Sequence, residues 1–385
     1  MVMALALYIH WPFCARKCPY CDFNSHVRAE VDQAAWREAL LADLAHEAAL
    51  SEGAELGSIF FGGGTPSLMP PATVAALIEA AARHWRFADG IEITLEANPS
   101  SVEAANFAAL AQAGVNRVSL GLQSLDDAAL RFLGRLHDVK EGLAALEVAQ
   151  RVFEHVSFDL IYARPDQTPG AWQSELERAL GLGTGHLSLY QLTIEPGTRF
   201  ATLVREDKLH PLADDPAADL FALTRELTAA VGLPAYEVSN HARPGEESRH
   251  NLAYWRYRDY LGVGPGAHGR RGGVATLRHR KPENWLAAVA RSGHGISEER
   301  ALSMSEQATE ALLMGLRLRE GVDLAEIGAR FAFTPGELVD ANKVRLHRRL
   351  GLVEQQGDRL TVTPAGMPLL DALLADIVAT ELVAA

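Results

Sequence analysis

The sequence predicts an α/β protein: a parallel sheet of six β-α units, then a mixed segment, then a small helical domain with a two-strand wing. Three observations predict it. First, short β-rich apolar runs recur, LALYIH (5–10), SIFFG (58–62), IEITLEA (91–97), RVSLGLQ (117–123), VSFDLIY (156–162) and HLSLYQLT (186–193). Second, the segments between them, at 33–51, 71–84, 101–113, 126–132, 138–151 and 171–182, are rich in Ala, Leu and Glu and carry apolar residues at the helical period. Third, the alternation stops near 200, and helical patterns at 304–319, 323–331 and 335–350 precede a hairpin-like LVEQQGDRLTVTP and a last helix at 366–382. Strands alternating with helices argue a parallel sheet, and barrel-like and doubly wound forms both fit. In either form, ligands gather at the strand C-termini.

Three regions follow: a β/α region over 1–200, a mixed extension over 201–295, and a winged-helix-like domain over 296–385. The first run, LALYIH, reads as a buried strand; it lacks the basic flank and small-residue cleavage site of a leader. No run of 18 uninterrupted apolar residues occurs, so no membrane span is expected. The net charge is 36 − 49 = −13, a poor basis for general binding of nucleic acid. The C-terminal domain, with nine Lys/Arg against twelve Asp/Glu between 300 and 385, is expected to be a structural cover and not a reader of DNA. One stretch reverses the sign: from Arg243 to Lys281 there are nine Lys/Arg and three Asp/Glu, a local +6.

The chain has three cysteines, and all lie within WPFCARKCPYCDFN, at Cys14, Cys18 and Cys21. An odd, clustered set does not make a disulfide framework, and a reducing cytoplasm fits it. Thiolates suit zinc, copper(I) or iron–sulfur clusters. His10 or His26 would complete a Cys3His zinc site. A [4Fe–4S] cube held by three thiolates instead keeps one iron open to a small molecule. The second chemical element is FFGGGTPS (60–67), whose glycines permit close backbone approach to a ligand; on its own it also reads as a tight strand-to-helix turn. Polar residues end further strands: Glu96 in TLEANP, Gln123 in SLGLQS, Asp159 in SFDLIY, with Arg135 in LGRLHD.

The C-x3-C-x2-C spacing resembles that of the radical S-adenosylmethionine enzymes. That resemblance implies a partial (β/α)6 barrel and a [4Fe–4S] cluster on Cys14, Cys18 and Cys21. It implies that S-adenosylmethionine chelates the open iron and is cleaved to a 5′-deoxyadenosyl radical. Tyr8 and Tyr20 join the cofactor pocket, Tyr20 near the adenine. Gly63, Gly64 and Thr65 lie where the family holds the methionine amino group, Glu96 where it contacts ribose, and Gln123, Arg135 and Asp159 complete the pocket. YIHWPFC, FFGGGTPS, LEANP, GLQS, DLIY and QLTIEPGT arrive in the order of the oxygen-independent coproporphyrinogen III oxidase family, over nearly the whole chain.

Two features separate the chain from the oxidase itself. Phe23 stands where the oxidase has a fourth cysteine, and strand one begins near Leu5, with no room for the oxidase's N-terminal extension. Both match the sister group of haem chaperones (the HemW group), as does HNLAYW (250–255), which fits its H-N-x-x-Y-W motif. The resemblance then implies binding of haem and its transfer to a haem-accepting protein, with a reductant for the cluster and no nucleic acid; any membrane contact runs through the acceptor. The alternative is the oxidase reaction, decarboxylation of coproporphyrinogen III propionates to vinyls. His250 would offer an axial nitrogen, with His268 and His279 as alternatives. Tyr254 and Trp255 would offer flat faces, and the +6 stretch would offer arginine forks for two propionates. In an extended run Arg256 and Arg258 would share a face. One departure is internal: Ala163 follows DLIY where the family has glycine, and Arg164 follows it.

Overall fold

A computed structural model describes residues 4–379 and 382. Six central strands are β1 (Leu5–Trp11), β2 (Glu55–Gly63), β3 (Arg86–Ala97), β4 (Arg117–Gln123), β5 (His155–Tyr162) and β6 (His186–Gln191). They lie side by side in chain order, and every neighbouring pair is parallel. Sequential order means that every crossover runs the same way and every connecting helix falls on one face. This selects the barrel-like form over the doubly wound one. The 201–295 segment supplies further strands of the same sheet: β7 (Asn240–Ala242) antiparallel on β6, β8 (Tyr260–Val263) parallel on β1, then β9 (His268–Arg271) and β10 (Val274–Arg278). β11 (Ile296–Ala301) ends that edge, giving an open sheet of 11 strands, a partial barrel.

Strand side chains alternate between faces, and the two faces of this sheet differ in chemistry. Leu7, Ile9, Ile59, Phe61, Leu95 and Phe158 point to the helices and form the main apolar core with Trp36, Leu40 and Leu77. The alternate positions, among them Tyr8, Ser58, Glu96, Ser119, Gln123 and Asp159, face the concave side. A structural sheet buried on both faces would read as continuous Val, Ile and Leu; the polar alternation marks this interior as a place for ligands. The first helix (Gln33–Ala49), capped by Asp32, is tied to β10 by a fully buried ion pair, Arg278 to Asp43 at 2.6 Å, with Glu47 at 2.8 Å.

The C-terminal domain has its own core around Leu312, Phe331, Leu338, Leu360 and Leu373. Its wing is three-stranded and antiparallel, β12 (Val322–Asp323), β13 (Val353–Gln356) and β14 (Arg359–Val362), in the order β12-β14-β13. The single helix expected over 335–350 is two, Pro335–Leu338 and Ala341–Arg349. Asp340 between them accepts the N–H groups of Asn342 and Lys343 as an N-cap, while Val339 bridges to Val378. The expected helix over 366–382 is a 3-10 turn, Met367–Leu369, followed by Leu370–Ile377; residues 380 and 381 lie outside the described residues. Among the described residues no helix is long and apolar enough to cross a membrane.

Candidate functional site: two cavities on one barrel

The strand C-termini surround a cavity of about 430 Å3. The loop after β1 brings Cys14, Cys18 and Cys21 to its wall. Thr65 Oγ1 donates to Cys14 Sγ at 3.5 Å, Arg135 Nη1 donates to Cys18 Sγ at 3.5 Å, and Cys21 Sγ lies 3.7 Å from Ser25 Oγ. Burial raises the Cys14 and Cys21 thiols above their usual range. His10 and His26, either of which would complete a zinc site, are both engaged elsewhere. His10 bonds Tyr8 Oη and the Asn24 carbonyl, each at 2.9 Å, and His26 Nε2 lies 3.2 Å from Asn24 Oδ1. Among the described residues no three His, Cys, Asp or Glu side chains are placed around a single ion. Three thiols around a shared cavity fit a multi-iron cluster better than one metal ion.

The Gly-rich turn forms the next wall. Gly63 has φ of 112°, and a Cβ there would strike the His10 ring; a Cβ on Gly64 would lie 2.7 Å from the Phe13 carbonyl oxygen. These contacts make glycine obligatory and seat the turn on the thiol loop. The Gly63 N–H donates to Glu96 at 3.2 Å. Burial, and then the neighbouring Asp159, push the Glu96 carboxyl up to about 8. Burial alone raises Asp159 to about 6 against hydrogen bonds from Ser188 and Ser119 that act the other way. Arg135 donates through Nη2 to Asn98 Oδ1 at 2.6 Å and to the Gly121 carbonyl at 2.9 Å, and its Nε is buried with no partner. An orphan guanidinium donor in a cavity with three thiols is what a ligand with an acidic or amino-acid end would meet.

Cys14, Cys18, Cys21, Tyr20, Gly63, Gly64, Thr65, Glu96, Gln123, Arg135 and Asp159 all line this one cavity. Asn98, which sequence reasoning passed over, holds two walls together: it donates to Thr65 Oγ1 at 3.2 Å and accepts from Arg135. Its signal was the polar LEANP exit of the third strand. Ala163 takes the left-handed backbone that its glycine alternative would take, φ of 53°, so the turn keeps its course. Arg164 points away from the cavity to Glu175 at 2.6 Å and to Ser124 Oγ at 3.0 Å. That holds the turn after Gln123, itself at φ of 68°.

Tyr8 and His250 stand apart from this group. They line a second cavity of about 1040 Å3 with Phe60, Tyr190, Tyr254 and Trp255, closed by Met314, Met367 and Leu369 of the C-terminal domain. HNLAYW lies in a helix (Arg249–Trp255) that ends in a turn at 256–257, so Arg256 and Arg258 do not follow it in the extended run in which they would share a face. Ser248 caps it, and Glu92 of β3 accepts the Arg249 and His250 N–H groups at 3.1 and 3.0 Å, satisfying donors that a helix start leaves open. His250 is 3% exposed; its Nδ1 bonds Ser58 Oγ at 3.0 Å and its Nε2 has no partner. Burial lowers the imidazole to about 3, so it is neutral. Phe60 stacks on it at 4.8 Å and Tyr254 meets it edge-on at 4.9 Å.

Five arginines of the +6 stretch are engaged within the protein, and no Lys or Arg of the stretch lines the larger cavity. Arg278 holds Asp43, Arg271 holds Glu47 and Glu299, and Arg256 holds Glu320 at 2.7 Å. Arg249 donates to the Gly90 carbonyl at 2.6 Å, and Arg270 packs over the Tyr257 ring at 3.3 Å. Much of this basic stretch is used to hold the protein's own carboxylates, carbonyls and rings. His268 is exposed and His279 half-buried, and neither lines the second cavity.

A partial barrel whose strand ends gather three cysteines and a Gly-rich turn defines the radical S-adenosylmethionine class. Residues 8–179 match the radical SAM superfamily and residues 302–369 the HemN C-terminal domain. Heme chaperone HemW of Escherichia coli (strain K12) is 36% identical over 380 residues, 96% of this chain and 97% of that one. Radical S-adenosyl methionine domain-containing protein 1, mitochondrial, of Bos taurus is 43% identical over 326 residues, 82% of this chain and 74% of that one. The structure of coproporphyrinogen III oxidase (HemN) from Escherichia coli superposes with a TM-score of 0.81 at 23% identity, over 97% of this chain and 89% of that one, a likeness of fold. The chain belongs to the HemW family of the radical S-adenosylmethionine superfamily. Membership implies a [4Fe–4S] cluster and S-adenosylmethionine, and the smaller cavity's donor set fits both.

Proposed function

We propose that the chain is a haem chaperone: it holds haem in the larger cavity, ligated by His250, and passes it to a haem-accepting protein in a reducing cytoplasm. The observation that carries this reading is the His250 imidazole, neutral, buried and held at Nδ1 by Ser58, with Nε2 unpartnered beside a cavity of about 1040 Å3. A neutral imidazole fixed through its other nitrogen is the usual form of a metal ligand. Tyr254 and Phe60 supply ring faces. In the smaller cavity, Cys14, Cys18 and Cys21 would hold the cluster, and Gly63, Gly64 and Thr65 the amino-acid end of S-adenosylmethionine. Glu96 would meet the ribose, and Gln123, Arg135, Asp159 and Tyr20 the rest of the pocket. When bound, the cluster supplies one electron from a reductant and an open iron. Arg135 donates to Cys18 and keeps one donor free, so it both tunes that thiolate and meets the ligand's acidic end.

Phe23 at the oxidase's fourth-cysteine position is 60% exposed, an apolar ring where that enzyme carries a thiol. Anaerobic incubation of cluster-loaded protein with coproporphyrinogen III, reductant and S-adenosylmethionine separates chaperone from oxidase. The expected result is no steady formation of protoporphyrinogen IX, with haem bound at one per chain in a parallel titration. Sustained protoporphyrinogen IX formation would overturn the reading in favour of the oxidase.

A further inference from the structure

The larger cavity carries a charge arrangement that the haem reading does not by itself require. Among the described lining residues Arg317 is the one Lys or Arg, against the carboxylates Asp214, Glu237 and Asp371. Glu237 is turned onto its own loop: its oxygens accept the N–H groups of Val238 at 2.6 Å, Ser239 at 3.2 Å and Asn240 at 2.5 Å. Asp214 opens the helix Asp214–Ala230. Arg317 lies in the turn after the helix Met304–Gly315, and its guanidinium is held at both ends. Nη1 donates to the Leu313 carbonyl, and Nη2 donates to Asp371 Oδ1 at 3.0 Å. The two ends differ in kind. The Leu313 carbonyl is backbone and fixed. The Asp371 side chain is 88% exposed while Arg317 is 28% exposed, so this half of the clamp is a surface ion pair, which holds weakly.

We propose that Arg317 is the carboxylate anchor of the larger cavity, and that Asp371 occupies the anchor until a ligand carboxylate displaces it. The proposal rests on the haem reading above and names the residue that would recognise a propionate, a role left open by the +6 stretch because none of its arginines lines this cavity. The exchange trades one carboxylate for another on a guanidinium whose orientation the Leu313 carbonyl keeps. With three carboxylates in the lining and one guanidinium, a dicarboxylate macrocycle has one place in the wall that favours its acidic edge. Apolar and aromatic surface (Tyr8, Phe60, Trp255, Met314, Met367) takes the remainder.

The two partners of this pair therefore have opposite effects on binding. A pair that merely held the fold would shift both variants in one direction, because breaking it from either side removes the same contact. The test titrates haemin and haemin dimethyl ester into the full, cluster-loaded chain, for the natural sequence, Arg317→Ala, Arg317→Lys and Asp371→Asn, with melting curves as the folding control. The natural chain is expected to prefer haemin over the ester. Arg317→Ala is expected to weaken haemin about tenfold, the low end of a charge-assisted hydrogen bond, and to lose the preference over the ester. Asp371→Asn is expected to bind haemin severalfold tighter with the preference kept. Should Arg317→Ala fail to fold, Arg317→Lys against Asp371→Asn decides on the same opposite signs. Arg317 and Asp371 variants that shift haemin affinity in the same direction, or an Arg317→Ala chain that keeps the natural preference, would overturn the anchor while leaving haem binding standing. A natural chain that binds neither haemin nor the ester would overturn the haem reading and the anchor with it.

Discussion

At the scale of single residues, the chemistry rests on groups whose ordinary behaviour the barrel interior has altered. Glu96 is the clearest case, its carboxyl raised to about 8 by burial and by Asp159. A raised carboxyl favours the folded state while it stays protonated. That contribution is complete below the ordinary Glu value near 4.5 and is lost as pH rises through about 8. Glu96→Gln should therefore melt higher than the natural cofactor-free chain at pH 8.5, with the gap closing toward pH 5, and should bind S-adenosylmethionine more weakly. A gap that is constant with pH would show that Glu96 does not titrate as its surroundings imply. The thiols offer a second test. Anaerobic reconstitution should give about four iron per chain, and Cys18→Ala should abolish the cluster, since two thiolates hold it poorly; stoichiometric zinc in place of iron would contradict this. These residues were legible in the sequence because each breaks a pattern: three thiols in eight positions, three glycines after an apolar strand, a polar side chain ending a β-rich run. Asn98 and Phe60 lie within LEANP and FFGGGTPS, but only the fold reveals what they touch, and Arg317 breaks no pattern at all.

At the scale of elements, the strand exits carry the strain. Gln123 and Ala163 both leave their strands with positive φ, at 68° and 53°. An L-residue in the left-handed region costs about 1–2 kcal/mol. Ala163→Gly should relieve part of that and raise stability by up to about 1 kcal/mol, net of the extra freedom glycine gives the unfolded chain; a lower melting temperature would contradict the reading. The neighbouring Arg164–Glu175 pair has side chains only 11% and 8% exposed. Arg164→Ala leaves that carboxylate buried without its counter-ion, though still held by Ser124 and the Leu125 N–H, and should cost about 3 kcal/mol, with partial recovery in Arg164→Ala/Glu175→Gln; equal melting of both variants would argue against the pair. The six β-α units were readable because period-2 and period-3.6 patterns are local. The helix at Arg249–Trp255 was not, because its start is satisfied by Glu92 from a distant strand. A basic, aromatic stretch read alone looks free to bind; Arg249, Arg256, Arg271 and Arg278 have partners that only tertiary structure supplies.

At the scale of the whole molecule, one sheet presents two cavities with different contents. The smaller lies at the strand C-termini and gathers thiols, glycines and carboxylates. The larger borders it through the same concave face, with Tyr8, Phe60 and Tyr190 from the strands, and is closed by the C-terminal domain. The sequence placed the C-terminal domain as a cover, and its acidic balance fits that role. That this cover supplies Met314, Met367 and Arg317 to the wall of the larger cavity was not readable, because the contact joins segments far apart in the chain. The central claim is that the larger cavity is a haem site built on His250. The most direct measurement is the absorbance titration of haem into cluster-loaded natural chain and His250→Ala, with iron and sulfide content determined on both. The account predicts that His250→Ala loses or shifts the Soret band while cluster content stays the same. An unchanged haem affinity and an unchanged spectrum in His250→Ala would contradict it.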